Sequence, residues 1–182
     1  MVPRNLSPED VLAILAVCDD RERVVTILML QLGLRRGEVA RLRVEDVDTT
    51  NRVVLVRGKG EHERVLPVPA QAAAELRRWL GGQRITSGPV IRSRTCPARG
   101  VRPETIGDML GKVMYRAGVK ACGWDRVSGH SLRHTSVADM LRHGAHVRDV
   151  QRIAGHASIV TTERYMPLVV DTLEAAVGGR SY

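Results

Sequence analysis

The alternation of apolar and polar positions divides the chain into helical stretches and one short extended region. Ser7 and Pro8 stand where a cap and a first helical residue belong, and Val11, Leu12, Ile14, Leu15 and Cys18 follow at helical spacing, predicting a helix to about Val17. From Arg21 to Leu34, Val24, Val25, Ile27, Leu28, Met29, Leu30 and Leu32 leave little polar face, predicting a largely buried helix that Gly33 closes. A short helix carrying Glu38, Val39 and Leu42 is expected after Gly37. The period changes at Arg52, where RVVLVRG and ERVLPVP flank Gly58-Lys59-Gly60-Glu61-His62 and predict a β-hairpin with a charged tip. Helices are expected again over residues 70–80, 103–117, 131–143, 146–154 and 159–165, with a short strand at Pro89-Val90-Ile91 and a basic loop from Arg92 to Arg102. This order predicts an α+β fold, mainly helical, with a small antiparallel sheet, rather than an alternating parallel α/β fold.

Length and composition fit one domain spanning 1–182, since 182 residues at 43% hydrophobic suffice for one substantial core. A formal charge of +8, from 28 Lys+Arg against 20 Asp+Glu, suits a protein that meets a polyanion. Cys18, Cys96 and Cys122 are widely spaced, which points to reduced thiols and not to a metal cluster. No stretch approaches the roughly 20 apolar residues of a membrane span, so a cytoplasmic, nucleoid-associated location is expected.

Four local features can carry chemistry: Gly33-Leu34-Arg35-Arg36-Gly37-Glu38, Lys59 in its turn, His130-Ser131-Leu132-Arg133, and Gly155-His156 followed nine residues later by Tyr165. His130 and Arg133 stand one helical turn apart near a helix start that favours an anion. Arg35 and Arg133 can each fork onto phosphate oxygens, a pairing suited to a pentacoordinate phosphorus.

The order Arg, Lys, His-x-x-Arg, His, Tyr resembles the active-site signature of the tyrosine recombinases, the group that includes phage integrases and Xer-type enzymes. The words GLRRGEVARL, GKGEHERVLPVP and HSLRHTSVADMLRHGAHVRDVQRIAGHASIVTTERY carry the likeness over about residues 6–170. The resemblance implies a recombinase catalytic-domain fold. It implies that Arg35 and Arg133 are the paired arginines, Lys59 the hairpin lysine, His130 and His156 the imidazoles, and Tyr165 the nucleophile, with Glu38 supporting the pocket. It further implies attack by Tyr165 on a scissile phosphate of double-stranded DNA, giving a 3′-phosphotyrosyl link and a free 5′-hydroxyl, with no cofactor and no metal. A phenol with an ordinary pKa near ~10 needs a base, and His130 is the better-placed candidate. Lys59 could protonate the leaving oxygen and His156 could donate to a phosphate oxygen.

Plainer readings stand beside these. Arg35 and Arg36 could be helix C-terminal charges, Lys59 a solvated tip residue interchangeable with Arg57 or Arg64, and either histidine structural. His134 is expected to point elsewhere on its helix and to orient the pocket, His143 and His146 to cap, and His62 to be exposed. Arg36, Arg64, Arg92 and Arg94 are candidate DNA contacts that track phosphates. The family's separate helical DNA-binding domain has no counterpart in these residues. A C-terminal helical tail over 167–178 would bury its apolar face on its own domain or on a neighbouring protomer, and self-association into a tetramer on DNA, from a monomer in solution, is expected. A topoisomerase of type IB and a silent DNA-binding module are the competing functions.

Overall fold

The computed structural model describes residues 5–58, 63–121, 127–156, 158–163 and 165. Lys59 and His62 in the hairpin tip, Cys122, and the 167–178 tail lie outside the described residues.

The first helix, α1 (Pro8–Val17), starts as its sequence dictates, with Ser7 and Asp10 forming a reciprocal capping box. Helix α2 (Asp20–Gln31) is capped by Asp19 and Glu22 in the same way. It ends three residues before the expected Leu34, because Gly33 turns the chain at φ +62°. Helix α3 (Arg36–Arg41) follows, with Arg35 as its N-cap. Arg35 and Arg36 therefore stand at the start of a helix, which overturns the plain reading of them as helix C-terminal charges.

One 3-10 turn (Val44–Asp46) leads to a three-stranded antiparallel sheet of β1 (Val47–Asp48), β2 (Val53–Arg57) and β3 (Glu63–Pro67), in that order. Val54 faces Leu66 and Val56 faces Arg64 across the hairpin. The sheet's inner side carries Val54, Val56 and Leu66 into the core. The two-residue β1 was not foreseen. Conversely, the strand expected at Pro89–Ile91 is only a bridge between Arg43 and Pro89, although Val90 and Ile91 are wholly buried and the Trp79 indole N–H donates to the Val90 carbonyl at 2.8 Å.

Helices α4 (Ala70–Gly82), α5 (Pro103–Arg116), α6 (Gly129–Arg142), α7 (Val147–Ala154) and α8 (Ile159–Glu163) complete the architecture. The expected caps hold: His146 caps α7, and His143 ends α6 with Nδ1 2.7 Å from the Asp139 carbonyl oxygen. Buried side chains form two clusters. The larger gathers α1 to α5, the sheet and Leu132 of α6, while the smaller unites Val137, Ala138 and Leu141 of α6 with Val150, Ala154 and Tyr165. Helix α6 lies between them, so its two faces are held from opposite sides. The Leu6 backbone N–H also donates to the Thr135 hydroxyl at 2.9 Å, fastening the chain before α1 onto α6.

Candidate active site

The site is built around the carboxyl end of α7. A helix leaves its last carbonyls without intrahelical partners, and these carry the negative end of the dipole. Here three arginines from distant segments take them up. Arg64 Nε donates to the Ile153 carbonyl at 2.9 Å, Arg133 Nη2 to Ala154 at 2.6 Å, and Arg35 Nη2 to Gly155 at 2.6 Å. Arg133 also donates through Nη1 to the Gly33 carbonyl. The two left-handed glycines thus present the carbonyls that fix the two arginines of the motif. At Gly155, φ +63°, an added Cβ would lie 3.0 Å from Arg64 Nη1 and 3.2 Å from Arg35 Nη1, so bare backbone is what lets the guanidiniums close in.

Glu38 balances this cluster from below. It is almost fully buried, and Arg64 forks onto it with Nη1 to Oε1 at 2.9 Å and Nη2 to Oε2 at 3.0 Å. Arg35 adds its backbone N–H at 2.8 Å and Nη1 at 3.1 Å. Burial alone would raise the carboxyl's pKa, but the hydrogen bonds and charges of Arg64 and Arg35 outweigh it and hold it below the ordinary value. Three guanidiniums facing one carboxylate leave a surplus of positive charge. Arg133, buried at 7% exposure, is lowered to about 10 by desolvation and by the Arg35 charge, and so remains a cation at neutral pH.

The histidines surround the cluster. His156, just beyond Gly155, has Nδ1 2.8 Å from the Thr162 hydroxyl and is lowered to about 4 by desolvation and by Arg133 and Arg35. His134 is lowered to about 4 by burial, His130 and Arg133. Its Nδ1 is hydrogen-bonded to the Tyr165 hydroxyl, with ring centroids 5.2 Å apart and planes tilted by 38°. The expectation that His134 points elsewhere is thereby corrected: His134 holds Tyr165. His130 is exposed at the second position of α6, where it borders a groove of about 340 Å³ with Arg36, Glu104, Asp108 and Lys120. Partial desolvation of its ring and the charges of Arg36 and Arg133 lower its pKa too.

The structure therefore brings Arg35, Glu38, Arg133, His134, His156 and Tyr165 together, with His130 on the adjoining rim. Arg64 is placed inside the cluster, its Nε, Nη1 and Nη2 all engaged, and not on an open phosphate-tracking surface. Its position was readable: Arg64, Leu66 and Val68 alternate onto one face of β3 and the residues after it, and the latter two are core residues. A charge in register with core positions implies a buried partner. Arg36 is exposed near the His130 groove. Arg92 and Arg94 lie beside the amino end of α2, where the Arg92 carbonyl accepts from Arg21 at 2.7 Å and Arg94 stands 3.9 Å from Asp19. Among the described residues no group of three or more His, Cys, Asp or Glu side chains could hold a metal ion, and no helix is long and apolar enough to cross a membrane.

Residues 4–169 match the family model described as the phage integrase family. The chain belongs to that family. It is 32% identical over 180 residues to the tyrosine recombinase XerA of Thermococcus onnurineus, covering 96% of this chain and 62% of the relative. It is 37% identical over 180 residues to the tyrosine recombinase XerC 2 of Ralstonia nicotianae, covering 93% of this chain and 51% of the relative. The chain thus spans between half and two thirds of the length of these recombinases. A crystal structure of XerA recombinase superposes with a TM-score of 0.84 at 25% identity, over 99% of this chain and 65% of the other. The fold is also that of a XerH recombinase solved in a post-cleavage complex with its palindromic difH substrate, with a TM-score of 0.78 at 20% identity, over 98% of this chain and 54% of the other. The α+β, mainly helical expectation agrees with these folds.

Proposed function

We propose that the chain is the catalytic part of a site-specific DNA recombinase or integrase that breaks and rejoins strands through a 3′-phosphotyrosyl intermediate. The observation that carries this reading is a buried tyrosine hydroxyl held on an imidazole beside a cluster with excess guanidinium charge. Such a cluster favours a group that gains negative charge on several oxygens, which is what a phosphodiester does under in-line attack. Arg35 and Arg133 neutralise the non-bridging oxygens, and removing either costs about 3–4 kcal/mol, roughly a hundred- to a thousandfold in rate. Glu38 and Arg64 keep Arg35 in place, His156 donates to a phosphate oxygen, and Lys59 protonates the leaving 5′-oxygen. Because the phosphotyrosine preserves the phosphodiester's energy, rejoining needs no nucleotide cofactor.

Exchanging strands between two duplexes requires four cuts and four tyrosines, so the reading entails self-association of four protomers on DNA, in a cytoplasmic, nucleoid-associated setting. The apolar periodicity of 167–178 supplies a segment suited to docking between protomers. Arg36, Arg92 and Arg94 add affinity for the DNA backbone.

The test is a pool of nicked suicide duplexes with randomised arms, incubated with the chain and run on a denaturing gel. A covalent adduct is expected, and Tyr165→Phe should abolish it. An adduct of undiminished yield in that variant would move the nucleophile elsewhere.

A further inference from the structure

We propose that His134, and not His130, takes the proton from Tyr165 as its oxygen attacks phosphorus. The proposal rests on the recombinase reading above and deepens it. Both imidazoles lie on one face of α6, four residues apart. His130 is in the first turn, exposed, with its ring on the groove shared with Arg36 and Lys120. His134 is one turn deeper, and its Nδ1 is the atom bonded to the phenolic oxygen.

The groups facing His134 are His130 and Arg133 from its own helix, His156 from the turn after α7, and Tyr165 itself. Burial and these positive or ionisable neighbours keep the ring neutral at physiological pH, so one ring nitrogen is free to accept. A hydroxyl donating to Nδ1 fixes the hydrogen of His134 on Nε2. As the reaction starts, the Tyr165 O–H bond breaks and an Nδ1–H bond forms. The freed oxygen pair makes the bond to phosphorus, while the bond from phosphorus to the 5′-oxygen breaks with its pair on that oxygen. The leaving oxygen takes its proton from an ammonium group or a water molecule. Rejoining runs this backwards: the 5′-hydroxyl gives up its proton, and Nδ1–H returns the other to the phenol. The ring that forms an imidazolium does so beside a phosphate whose negative charge compensates it, so the burial that keeps His134 neutral at rest does not forbid its protonation in the transition state.

Two measurements on the full chain test the assignment. Nitrogen-15 NMR of histidine-labelled protein without DNA should show neutral His134 protonated on Nε2, with an Nδ1 resonance that moves when Tyr165→Phe removes the donor. A His134 protonated on Nδ1 would overturn the proposal. The second is the initial rate of adduct formation on the randomised nicked duplex as a function of pH. Wild type should be level through neutrality. His134→Gln keeps an acceptor but no base, and should be slower by about 10²- to 10⁴-fold at neutral pH, with a rate climbing toward the phenol's own ionisation near ~10. Added imidazole should partly restore His134→Ala, a rescue that loss of packing would not give. His134→Gln at the wild-type rate, or the same climbing profile appearing in His130→Gln instead, overturns this proposal alone. A wild-type chain that forms no adduct overturns the recombinase reading and this proposal with it, even where the NMR signature of the pair is intact.

Discussion

At its carboxyl end α2 runs into Gly33, whose carbonyl is gripped by the buried Arg133, whereas at its amino end, about 18 Å away along the helix, Arg94 and Arg116 are exposed and the half-buried Arg21 donates to the Arg92 carbonyl. The two ends carry the same residue type for different purposes. At the first, arginines are fixed by backbone carbonyls and by a buried carboxylate whose positions the fold sets. At the second, Arg94 stands at 79% exposure and Arg116 is exposed as well, so water competes for these cations even where, as at Glu22, the partner carboxylate is buried. Removing a member of a buried charged group strands the others, while exposed pairs contribute little. Basic charge at one end thus sets geometry, and at the other it sets a field.

That contrast is sharpest at Glu38. Glu38→Ala should cost about 3–5 kcal/mol in urea unfolding, because it leaves Arg64 and Arg35 without their shared buried anion. Unfolding unchanged by this substitution would erase the distinction between the two ends.

Next in size is Gly155→Ala. The left-handed backbone alone disfavours a side chain by about 1–2 kcal/mol, and the new carbon would press on Arg64 and Arg35. A lower melting temperature together with a loss of adduct is expected, since the arginines cannot withdraw without releasing the α7 carbonyls.

Acid should act on the same end of the molecule. His134 and His156 have folded pKa values of about 4, below the ordinary 6.5, so between those values the unfolded chain binds more protons and stability falls as pH drops. Glu38 extends the loss: its carboxyl is held below the usual range, so its contribution is present above the unfolded pKa and disappears as pH falls through the folded one. Denaturant midpoints measured from pH 7 down to about 4 should decline, and the slope should lessen in the double variant His134→Gln, His156→Gln.

The smallest effect belongs to the other end. Arg94→Ala should change stability by less than about 0.5 kcal/mol and instead reduce the salt dependence of DNA binding, by close to one counterion if Arg94 contacts a phosphate.

Much of this arrangement was legible in the sequence. Ser7 marks a helix start by its own side chain, and the 3.6- and 2-residue periods separate helix from hairpin, whereas the caps Asp19 and Ser128 start their helices one and two residues before the expected Arg21 and Ser131. The ordered Arg35, His130, Arg133, His156 and Tyr165 pointed to one pocket because each is a side chain whose chemistry is stated by its name. What could not be read was supplied by the backbone. The carbonyls of Gly33, Ile153, Ala154 and Gly155 are identical to any others in sequence, and only the fold directs them at three arginines. That His134 holds the Tyr165 hydroxyl was hidden for a related reason: His130 and His134 lie four residues apart on one helix face and differ in depth by one turn, and depth depends on where α7 and Tyr165 pack. A two-residue strand such as β1 is too short to have a period at all.

The bond from Leu6 to Thr135 makes α6 an anchor for the start of the chain as well as a scaffold for the site. Thr135 immediately follows His134, so the segment leading into α1 is tied to the helix at the level of the tyrosine's partner. The residues just before α1 thus share an anchor with the helix that carries His130, Arg133 and His134, and the packing of the two regions is joined at one hydroxyl.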